Sequence, residues 1–531
     1  MNDIDLPSSP SRAPLLVIAS NRGPFSFTAR KEGGFSAKRG AGGLVTALAA
    51  LAEKHDVLWI AAALSRGDHL WAYHHGETAQ DVQGTYLQLI RTQSKKQYEQ
   101  YYNEISNPLL WFIQHQLWDA SRSPSITRET WNAWNSGYVA VNRLFAEAIA
   151  RSVERVDRPI IVFPQDYHLY LVPRFLREML GHRIQIQPFI HIPWPGPDAW
   201  RLLPEKMRNA IFDSLLRSDR IGFQTKKDAF NFVQTCRFYL DNAHSRGSRD
   251  SIHYHERKIE AKAYPISIDV EKVEEIAKEP ATHNFEREIR DFIGNRQLIL
   301  RTDRIEPSKN ILRGLEAFRE LLEIHPEHRG KVQMLALLVP SRMEVGEYQD
   351  YLRDIMAQAG FINAEYGDGS WEPVRIVLGD NYARAIAAMK LYDVLLVNPI
   401  ADGMNLVAKE GVLVNENGGV LVLSEHAGAF YELGEDALVV SPFDTYGTAK
   451  GLHEALTMPR AERQQRADNL RAKVRQAGVK QWFYMQVEDA LRALNSQSSN
   501  ASTSETPEAI MSALAATESG MSGDSTPTPT A

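Results

Sequence analysis

The chain has 531 residues, enough for two domains of ordinary size. Its 60 Lys and Arg residues against 66 Asp and Glu residues give a formal net charge of -6, so overall charge offers no reason to bind nucleic acid or an anionic membrane. The only cysteine is Cys236, which excludes internal disulfides and cysteine-rich metal sites, and no apolar run is long enough to cross a bilayer. We therefore expect a cytoplasmic protein with neither nucleic acid nor a membrane as partner.

Short β-rich runs alternate with helical patterns, which predicts parallel sheets covered by helices. A stretch that turns from strand-like to charged and helical, 263–282, separates two sets of runs. We therefore predict an α/β protein with two doubly wound, Rossmann-like domains, 15–270 and 271–475, which face each other across a cleft. The predicted strands are 15–20, 57–64, 160–164, 186–192 and 220–225 in the first domain, and 297–302, 334–339, 374–378, 394–397, 420–424 and 437–441 in the second.

In the first domain, the strand ending at Ser20 leads into Asn21-Arg22-Gly23-Pro24 and a predicted basic loop. The loop reaches a glycine-rich segment, Gly40-Ala41-Gly42-Gly43, which could admit a phosphate or a sugar, although a flexible surface turn explains it equally well. No close GxGxxG follows the first strand, which argues against a nicotinamide enzyme.

The helical segment QYEQYYNEISNPLLWF presents Tyr102 and Trp111. These aromatic side chains could stack on a sugar, or they could be ordinary core residues.

Polar residues follow two further predicted strands of this domain. Asp166 and His168 end one strand and His191 ends another, so a carboxylate and an imidazole could orient a sugar hydroxyl and polarise the reacting centre. His191 could instead be a packed structural residue, and His168 could be a buried partner of Asp166. The zinc patterns HxxxH and HExxH are absent.

In the second domain, Arg304 and Lys309 lie five residues apart just past a predicted strand. Two cations at one strand end could neutralise a departing diphosphate, whereas a solvated basic loop is the plainer interpretation. Arg342 ends a later strand, where it could bind a second phosphate or lie on the surface.

The stretch YDVLLVNPIADGMNLVAKE, 392–410, changes from a strand to a small-residue loop and then to a helix carrying Glu410. Backbone N–H groups at the helix start could face a diphosphate, and Glu410 could accept hydrogen bonds from ribose hydroxyls. Gly403 beside Asp402 would let a ligand approach the backbone, and Asn405 could cap the helix. An ordinary strand–loop–helix joint would show the same pattern.

Taken in order, the motifs SNRGP, GAGGL, YYNEISNPLLW, QDYHL, HIPWP, RLLP, GFQT, DRIEPSK, DGMNLVAKE, LSEHAGAF and SPFD resemble the trehalose-6-phosphate synthase family over about 15–491. These are retaining glycosyltransferases with two domains of the GT-B type. The resemblance implies a first domain that binds glucose 6-phosphate and a second that binds a nucleoside diphosphate glucose. It also implies a final helix, 476–495, that crosses back to the first domain. We predict a flexible N-terminus, 1–14, and a disordered tail, 496–531, because the tail is rich in Ser, Thr, Ala and Pro and poor in large apolar residues.

The resemblance also assigns roles to residues. It implies that Asp166, His191, Arg304 and Lys309 are catalytic. No cofactor and no metal are expected, the partners are the two small-molecule substrates, and homo-oligomerisation is left open. The implied acceptor-binding residues are Arg22, Tyr102, Trp111, Asp166 and Arg342, and the implied donor-binding residues are Gly42, Gly43, Arg304, Lys309, Asp402, Gly403, Met404, Asn405, Leu406, Val407 and Glu410.

The chain departs from the family pattern at five positions. Glu306-Pro307 replaces an Asp-Tyr pair, Ala401 replaces Arg, Gln165 replaces His and Gly196 replaces Ser. Because these changes lie near the expected acceptor site, glycerol 3-phosphate or a cyclitol phosphate stays open as the acceptor. A non-catalytic sugar-phosphate sensor is a further alternative, and the nucleotide base of the donor is not distinguished.

Overall fold

The computed structural model describes residues 14–40 and 56–498 of the chain. The predicted donor residues Gly42 and Gly43 lie outside the described residues. The same holds for nearly all of the predicted N-terminal segment and for almost all of the predicted tail.

The first half of the chain is built around a mixed sheet. It runs in the order β5-β6-β4-β1-β7-β8 and continues through a bridge between Gln165 and Phe189 into β9-β10-β13-β12-β11. Its central strands are parallel and fully buried, which explains their continuous apolar sequences. The strands are β1 (Leu15–Ser20), β2 (Phe25–Ala29), β3 (Phe35–Arg39), β4 (Val57–Ala62), β5 (Gln80–Val82), β6 (Thr85–Ile90), β7 (Ile160–Pro164), β8 (Ile184–Ile186), β9 (Phe189–Ile190), β10 (Arg220–Phe223), β11 (Ala243–His244), β12 (Ser251–Tyr254) and β13 (Arg257–Ala263).

Two local features differ from the sequence-based expectation. The predicted basic loop is an antiparallel hairpin of β2 and β3, in which Phe25 and Phe27 point into the core while Lys38 and Arg39 are exposed. The predicted strand 186–192 is divided at Pro188, which has no N–H for a ladder hydrogen bond. Its two parts, β8 and β9, pair with β7 and β10 respectively.

A second, wholly parallel sheet has the order β16-β15-β14-β17-β18-β19. All six predicted strands of this half are present. They are β14 (Gln297–Arg304), β15 (Val332–Val339), β16 (Val374–Leu378), β17 (Val394–Val397), β18 (Val420–Ser424) and β19 (Leu438–Val440). Two α/β halves, the first with a mixed sheet whose central strands are parallel and the second with a wholly parallel sheet, confirm the predicted fold class. The domain boundaries stay predictions.

Helices cover the faces of both sheets. In the first half they are α1 (Arg66–His74), α2 (Lys95–Glu99), α3 (Trp111–Gln114), α4 (Arg128–Asn132), α5 (Ala140–Ser152), α6 (Val172–Leu180), α7 (Glu205–Leu215) and α8 (Lys226–Tyr239), with wide π-helical turns at Gln100–Leu110 and Ala133–Val139. The later helices are α9 (Val270–Ile276), α10 (Pro280–Ile293), α11 (Ile311–Ile324), α12 (Gly346–Tyr366), α13 (Tyr382–Leu391), α14 (Leu406–Val414), α15 (Phe430–Leu433), α16 (Thr445–Thr457), α17 (Arg460–Gln476) and α18 (Val479–Ser498). None of the described helices is both long and apolar enough to cross a bilayer.

The last helix, α18, returns to the first sheet. The Trp482 ring meets the Phe189 ring edge-on at 5.1 Å, and the Phe483 ring lies 5.4 Å from Phe163. Farther along, the Asp489 carboxylate accepts a hydrogen bond from Tyr264 at 2.6 Å. This helix therefore joins the end of the chain to the strands that carry the first half of the site.

Candidate functional site

The order of strands in each sheet places a ligand crevice at a definite point. Successive strands are added on one side of β1 and then, from β7 onward, on its other side, so the strand order reverses between β1 and β7. In the second half it reverses in the same way between β14 and β17. Ligands of doubly wound sheets bind beyond the carboxyl ends of the strands at such a point. The predicted residues Arg22, Asp166, Arg304 and Asp402 all follow one of these four strands.

Asp166 follows β7 in a left-handed conformation, with φ of 69°. Its N–H donates to the Phe189 carbonyl at 2.7 Å, and its Oδ1 accepts a hydrogen bond from the His191 N–H at 3.2 Å. Burial raises the pKa of this carboxyl to about 6, although hydrogen bonds from backbone N–H groups, including that of His191, and the charge of Arg342 oppose the rise. The two strand ends predicted to be neighbours are therefore in direct contact.

The His191 ring is held between two glutamines. Its Nε2 lies 2.9 Å from Gln165 Oε1, and its Nδ1 lies 3.3 Å from Gln224 Nε2. Each glutamine is oriented by its other amide atom, since Gln165 Nε2 donates to the Phe163 carbonyl and Gln224 Oε1 accepts from the Ile266 N–H. The network therefore places the ring proton on Nε2.

This arrangement limits what the His191 ring can do. Burial lowers its pKa to about 3, so the ring is neutral at physiological pH. With both ring nitrogens already hydrogen-bonded within the protein, the imidazole is poorly placed to polarise a sugar or take its proton. The geometry instead favours a role in fixing the backbone at the end of β9.

That backbone touches the second half of the chain. A Cβ added to Gly403 would lie 1.8 Å from the His191 carbonyl oxygen, and one added to Gly428 would lie 1.8 Å from the Gly403 carbonyl oxygen. The sequence suggested that glycine at 403 admits a ligand. The structure shows that the absence of a side chain at 403 allows the His191 backbone, on the other side of the cleft, to pack against this loop.

Lys309 and Asp402 form an ion pair at this contact. Lys309 Nζ lies 2.5 Å from Asp402 Oδ2, which also accepts from Asn405 Nδ2 at 3.0 Å. Burial opposes charge on both groups, but their attraction prevails, so the pKa of Lys309 is raised and that of Asp402 is lowered. Both groups are consequently ionised.

The start of α14 has the form expected of an anion site. Asn405, with φ of 80°, caps the helix by accepting a hydrogen bond from the Ala408 N–H at 3.1 Å. Leu406 and Val407 occupy the first turn, where backbone N–H groups have no partner inside a helix, and both are half-buried. The Met404 side chain is buried beneath this turn and serves packing.

Glu410 lies one turn farther along α14. Its Oε1 accepts a hydrogen bond from the Tyr382 hydroxyl at 2.9 Å. Burial raises the pKa of Glu410 to about 7, despite the opposing effect of this hydrogen bond.

Two predicted arginines of the second half share one carboxylate. Arg342 Nη1 lies 3.0 Å from Glu306 Oε1, and Arg304 Nη1 lies 3.5 Å from the same oxygen. Arg304 is otherwise open to solvent, with 59% of its side chain exposed.

Arg342 also reaches the first half of the chain. Its Nη2 donates to the Tyr167 hydroxyl at 3.3 Å, and its guanidinium carbon lies 4.9 Å from the centre of the Trp111 ring. Tyr348 receives a further hydrogen bond from Nη1 at 2.8 Å. Trp111 therefore supports the arginine rather than presenting an open stacking face.

Tyr102 and Arg22 line the same side of the first domain. The Tyr102 ring stacks between Tyr98 and His168, at 5.5 Å and 5.6 Å. His168 is accordingly a stacking partner of Tyr102, and no hydrogen bond joins it to Asp166 among the described contacts. Arg22 is exposed just past β1 and acts electrostatically on Tyr98.

Sequence reasoning missed several residues that the structure places in this cleft. His115 stacks on Trp111 at 3.9 Å, one helical turn away, and burial lowers its pKa to about 4. The spacing of these two residues was a usable signal, because positions i and i+4 share a helix face. Gln224 stands in the GFQT motif and Tyr167 in the QDYHL motif, whereas nothing local singled out Tyr348 or Tyr382.

Comparison with known proteins agrees with this architecture. The sequence model of glycosyltransferase family 20 matches residues 14–492 of this chain. The trehalose-6-phosphate synthase of Mycobacterium marinum is 36% identical over 476 residues, which cover 88% of this chain and 91% of that protein. A probable UDP-forming alpha,alpha-trehalose-phosphate synthase of Arabidopsis thaliana is 31% identical over 87% of this chain, which spans only 55% of the length of that relative.

Solved structures with the same fold are also similar in sequence. An E. coli structure described as trehalose-6-phosphate bound with UDP-2-fluoro glucose superposes with a TM-score of 0.77 at 28% identity, covering 90% of this chain and 98% of that one. A UDP-forming alpha,alpha-trehalose-phosphate synthase from Burkholderia xenovorans in complex with glucose-6-phosphate gives a TM-score of 0.76 at 28% identity, covering 90% and 100%. With a family match over nearly the whole described chain and a shared two-domain architecture, this protein belongs to glycosyltransferase family 20.

Proposed function

We propose that the protein transfers glucose, with retention of configuration, from a nucleoside diphosphate glucose to glucose 6-phosphate, giving α,α-trehalose 6-phosphate. One observation carries the proposal: the two crevices meet. Gly403 abuts the His191 carbonyl, Arg342 reaches the Tyr167 hydroxyl, and the charge of Arg342 acts on the Asp166 carboxylate of the first half. A donor bound at one crevice would lie next to an acceptor bound at the other.

The donor diphosphate has a complete set of positive groups on its side of the cleft. Arg304 is exposed at the end of β14, Lys309 stands beside it, and the first turn of α14 adds unpaired N–H groups. These groups are oriented before the substrate binds, so they stabilise charge as it develops on the departing diphosphate. They can supply the positive charge that a metal ion supplies elsewhere, and we propose that transfer needs no metal and no cofactor.

The acceptor phosphate fits Arg342, whose guanidinium is held against Trp111. Asp166 lies at the junction with a pKa of about 6, and as a carboxylate it can accept a hydrogen bond from a sugar hydroxyl. Because the His191 ring is fully hydrogen-bonded, it is not available for the proton of the attacking hydroxyl. We assign that proton to an oxygen of the departing diphosphate, which leaves from the face that is attacked.

The comparisons support both substrates. The E. coli structure is described with UDP-2-fluoro glucose, and the Burkholderia xenovorans structure with glucose-6-phosphate. We assign the same two classes of ligand to this chain, and we further propose a cytoplasmic location, which the single buried cysteine favours. Homo-oligomerisation stays a prediction.

A matrix of donors and acceptors tests the proposal. Purified protein is incubated with UDP-, GDP- or ADP-glucose and with glucose 6-phosphate, glucose, glycerol 3-phosphate or a cyclitol phosphate, and the products are identified by NMR. The expected product is α,α-trehalose 6-phosphate, formed from glucose 6-phosphate and not from free glucose. Preferred use of another acceptor would overturn the acceptor assignment, and no product from any donor would overturn transfer itself. Added chelator is expected to leave the rate unchanged.

A further inference from the structure

Glu306 places a buried negative charge at the centre of the cleft proposed to bind phosphate groups. It is only 2% exposed, and its Oε1 accepts hydrogen bonds from Arg342 Nη1 at 3.0 Å and Ser341 Oγ at 3.2 Å. Arg304 Nη1 approaches the same oxygen at 3.5 Å. One carboxylate oxygen therefore lies between the arginine proposed for the donor and the arginine proposed for the acceptor.

Charge in this cluster is almost balanced before any ligand binds. Burial alone would raise the pKa of Glu306, but Arg304, Arg342 and Lys309 together lower it to about 2. The carboxylate is thus always ionised. With Asp402 paired to Lys309, each of the three cations already faces a negative group.

The three guanidinium nitrogens of Arg342 differ in their hydrogen bonding. Its Nε is buried and has no hydrogen-bond partner among the described residues, while its two terminal nitrogens are occupied by protein groups. The residue also has a left-handed backbone, with φ of 49°. A side chain on so strained a backbone needs partners that hold it in place, and Glu306 is its charged one.

We propose that Glu306 is a built-in counter-anion: it holds Arg342 and Arg304 in the empty cleft by engaging them as a phosphate would, and the substrate phosphates bind in competition with its charge. The inference rests on the proposed function for the identity of the substrates. It makes Glu306 a positioning residue that lowers the affinity of the cleft for phosphate groups while keeping both arginines aligned. A carboxylate with a purely structural role would not change the affinity of the cleft for phosphate.

The test is Glu306→Gln, which keeps an oxygen for Arg342 and Ser341 and removes the charge. Without phosphate, the variant should melt below the parent, because buried cations lose their counter-charge. Inorganic phosphate should then bind about tenfold more tightly than to the parent, since an adjacent negative charge is gone. It should also raise the melting temperature of the variant more than that of the parent. Calorimetry and thermal unfolding at constant ionic strength, with chloride replacing phosphate, give both readouts.

Glu286→Gln is the matched control. Like Glu306, Glu286 is a buried glutamate in an ion pair, but its partner is Lys390. It lies on α10, outside the cleft. Its variant should also melt lower, but phosphate should not restore it. Equal rescue of both variants, or no gain in phosphate affinity for Glu306→Gln, would overturn the inference.

Glu306→Asp serves if the glutamine variant does not fold. The shorter side chain keeps the charge but reaches the arginines less well, so phosphate affinity should rise by a few-fold, less than expected for glutamine. Unchanged affinity would count against the proposal. Because phosphate binding needs no turnover, these outcomes remain separate from the test of glucosyl transfer.

Discussion

The charged side chains of the cleft are paired before any ligand arrives. Lys309 is bound to Asp402, and Arg342 is bound to Glu306. Pairing keeps these groups ionised in spite of burial and fixes their directions, so little reorganisation is needed when substrate charges appear. Residues whose ion pairs are longer and more exposed are the ones most free to respond to ligand.

Arg304 is the clearest case, because most of its side chain is exposed and its ion pair with Glu306 is long, at 3.5 Å. Arg304→Ala should lower kcat and raise the donor KM, reducing kcat/KM about a hundredfold or more, since the charge that it faces grows towards the transition state. Steady-state kinetics with a varied donor measures this. The matched variant Arg319→Ala removes a surface arginine paired with Glu365 and should behave like the parent. An unchanged donor KM and kcat would remove Arg304 from the site.

Glu410 predicts a pH dependence for donor binding. Its pKa is raised to about 7, so the carboxyl loses its proton as the pH rises from 6 to 8, and only the ionised form offers both oxygens as pure, charged acceptors to the ribose hydroxyls. Donor affinity of the parent, measured by calorimetry, should therefore increase across this range. Glu410→Gln should give weaker binding that is independent of pH.

Tyr382→Phe provides a second check on Glu410. The Tyr382 hydroxyl lowers the pKa of that carboxyl by hydrogen bonding, so its removal should move the midpoint of the pH dependence upward. A midpoint that stays in place would show that another group titrates.

At the scale of elements, the decisive piece is the loop between β17 and α14. Asp402, Gly403 and Asn405 in this loop respectively bind a lysine, touch the opposite wall and cap the helix. The helix start is thereby fixed relative to β9. A displacement of about 1 Å between reacting groups can cost a hundredfold in rate, so this contact is expected to control transfer.

Gly403→Ala tests the loop. The new Cβ would lie 1.8 Å from a backbone oxygen, which cannot rotate away as a side chain could, so the two walls must separate. We expect a lower melting temperature and a rate reduced about a hundredfold. Gly360→Ala on the exposed face of α12 is the control, because its Cβ would meet nothing within 4 Å. That variant should keep full activity, and retention of full activity by Gly403→Ala would refute the argument.

At the scale of the whole molecule, α18 ties the end of the chain to the first sheet. Trp482 packs against Phe189 and lies 5.9 Å from the His191 ring, while Asp489 binds Lys262 and Tyr264. The helix thus supports the wall that carries His191 although it follows the second sheet in sequence.

Trp482→Ala should destabilise the protein by about 3–5 kcal/mol, the usual cost of truncating a large buried side chain. Denaturant unfolding monitored by circular dichroism measures the loss, and activity should fall with it because the β9 end is no longer supported. Gln481→Ala, at an exposed position of the same helix, should change stability by less than about 0.5 kcal/mol. Equal stability of the two variants would show that the packing of α18 on the first sheet does not stabilise the protein.

The amino-acid sequence determined the features that depend on neighbours along the chain. The central strands of the second sheet are largely buried on both faces and appear as continuous apolar runs, and the shorter, partly exposed edge strands β16 and β19 are still rich in Val, Ile and Leu. All six strands were therefore predictable, and motif residues could be assigned to strand ends. The cap by Asn405 was predictable for the same reason, since donor and acceptor are three residues apart. The hairpin of β2 and β3 was not, because its charged residues hide the alternation that faces the core.

Only the tertiary structure decided which groups meet across the cleft. Glu306 appeared in the sequence as a departure from a family pattern, and its role as partner of two arginines depends on the folding of β14 beside β15. The engagement of both His191 nitrogens and the approach of Gly403 to the His191 carbonyl likewise join segments far apart in sequence. Local patterns encode helices and strands because those hydrogen bonds are short-range, whereas the protonation and direction of a buried side chain are set by whatever the fold brings against it.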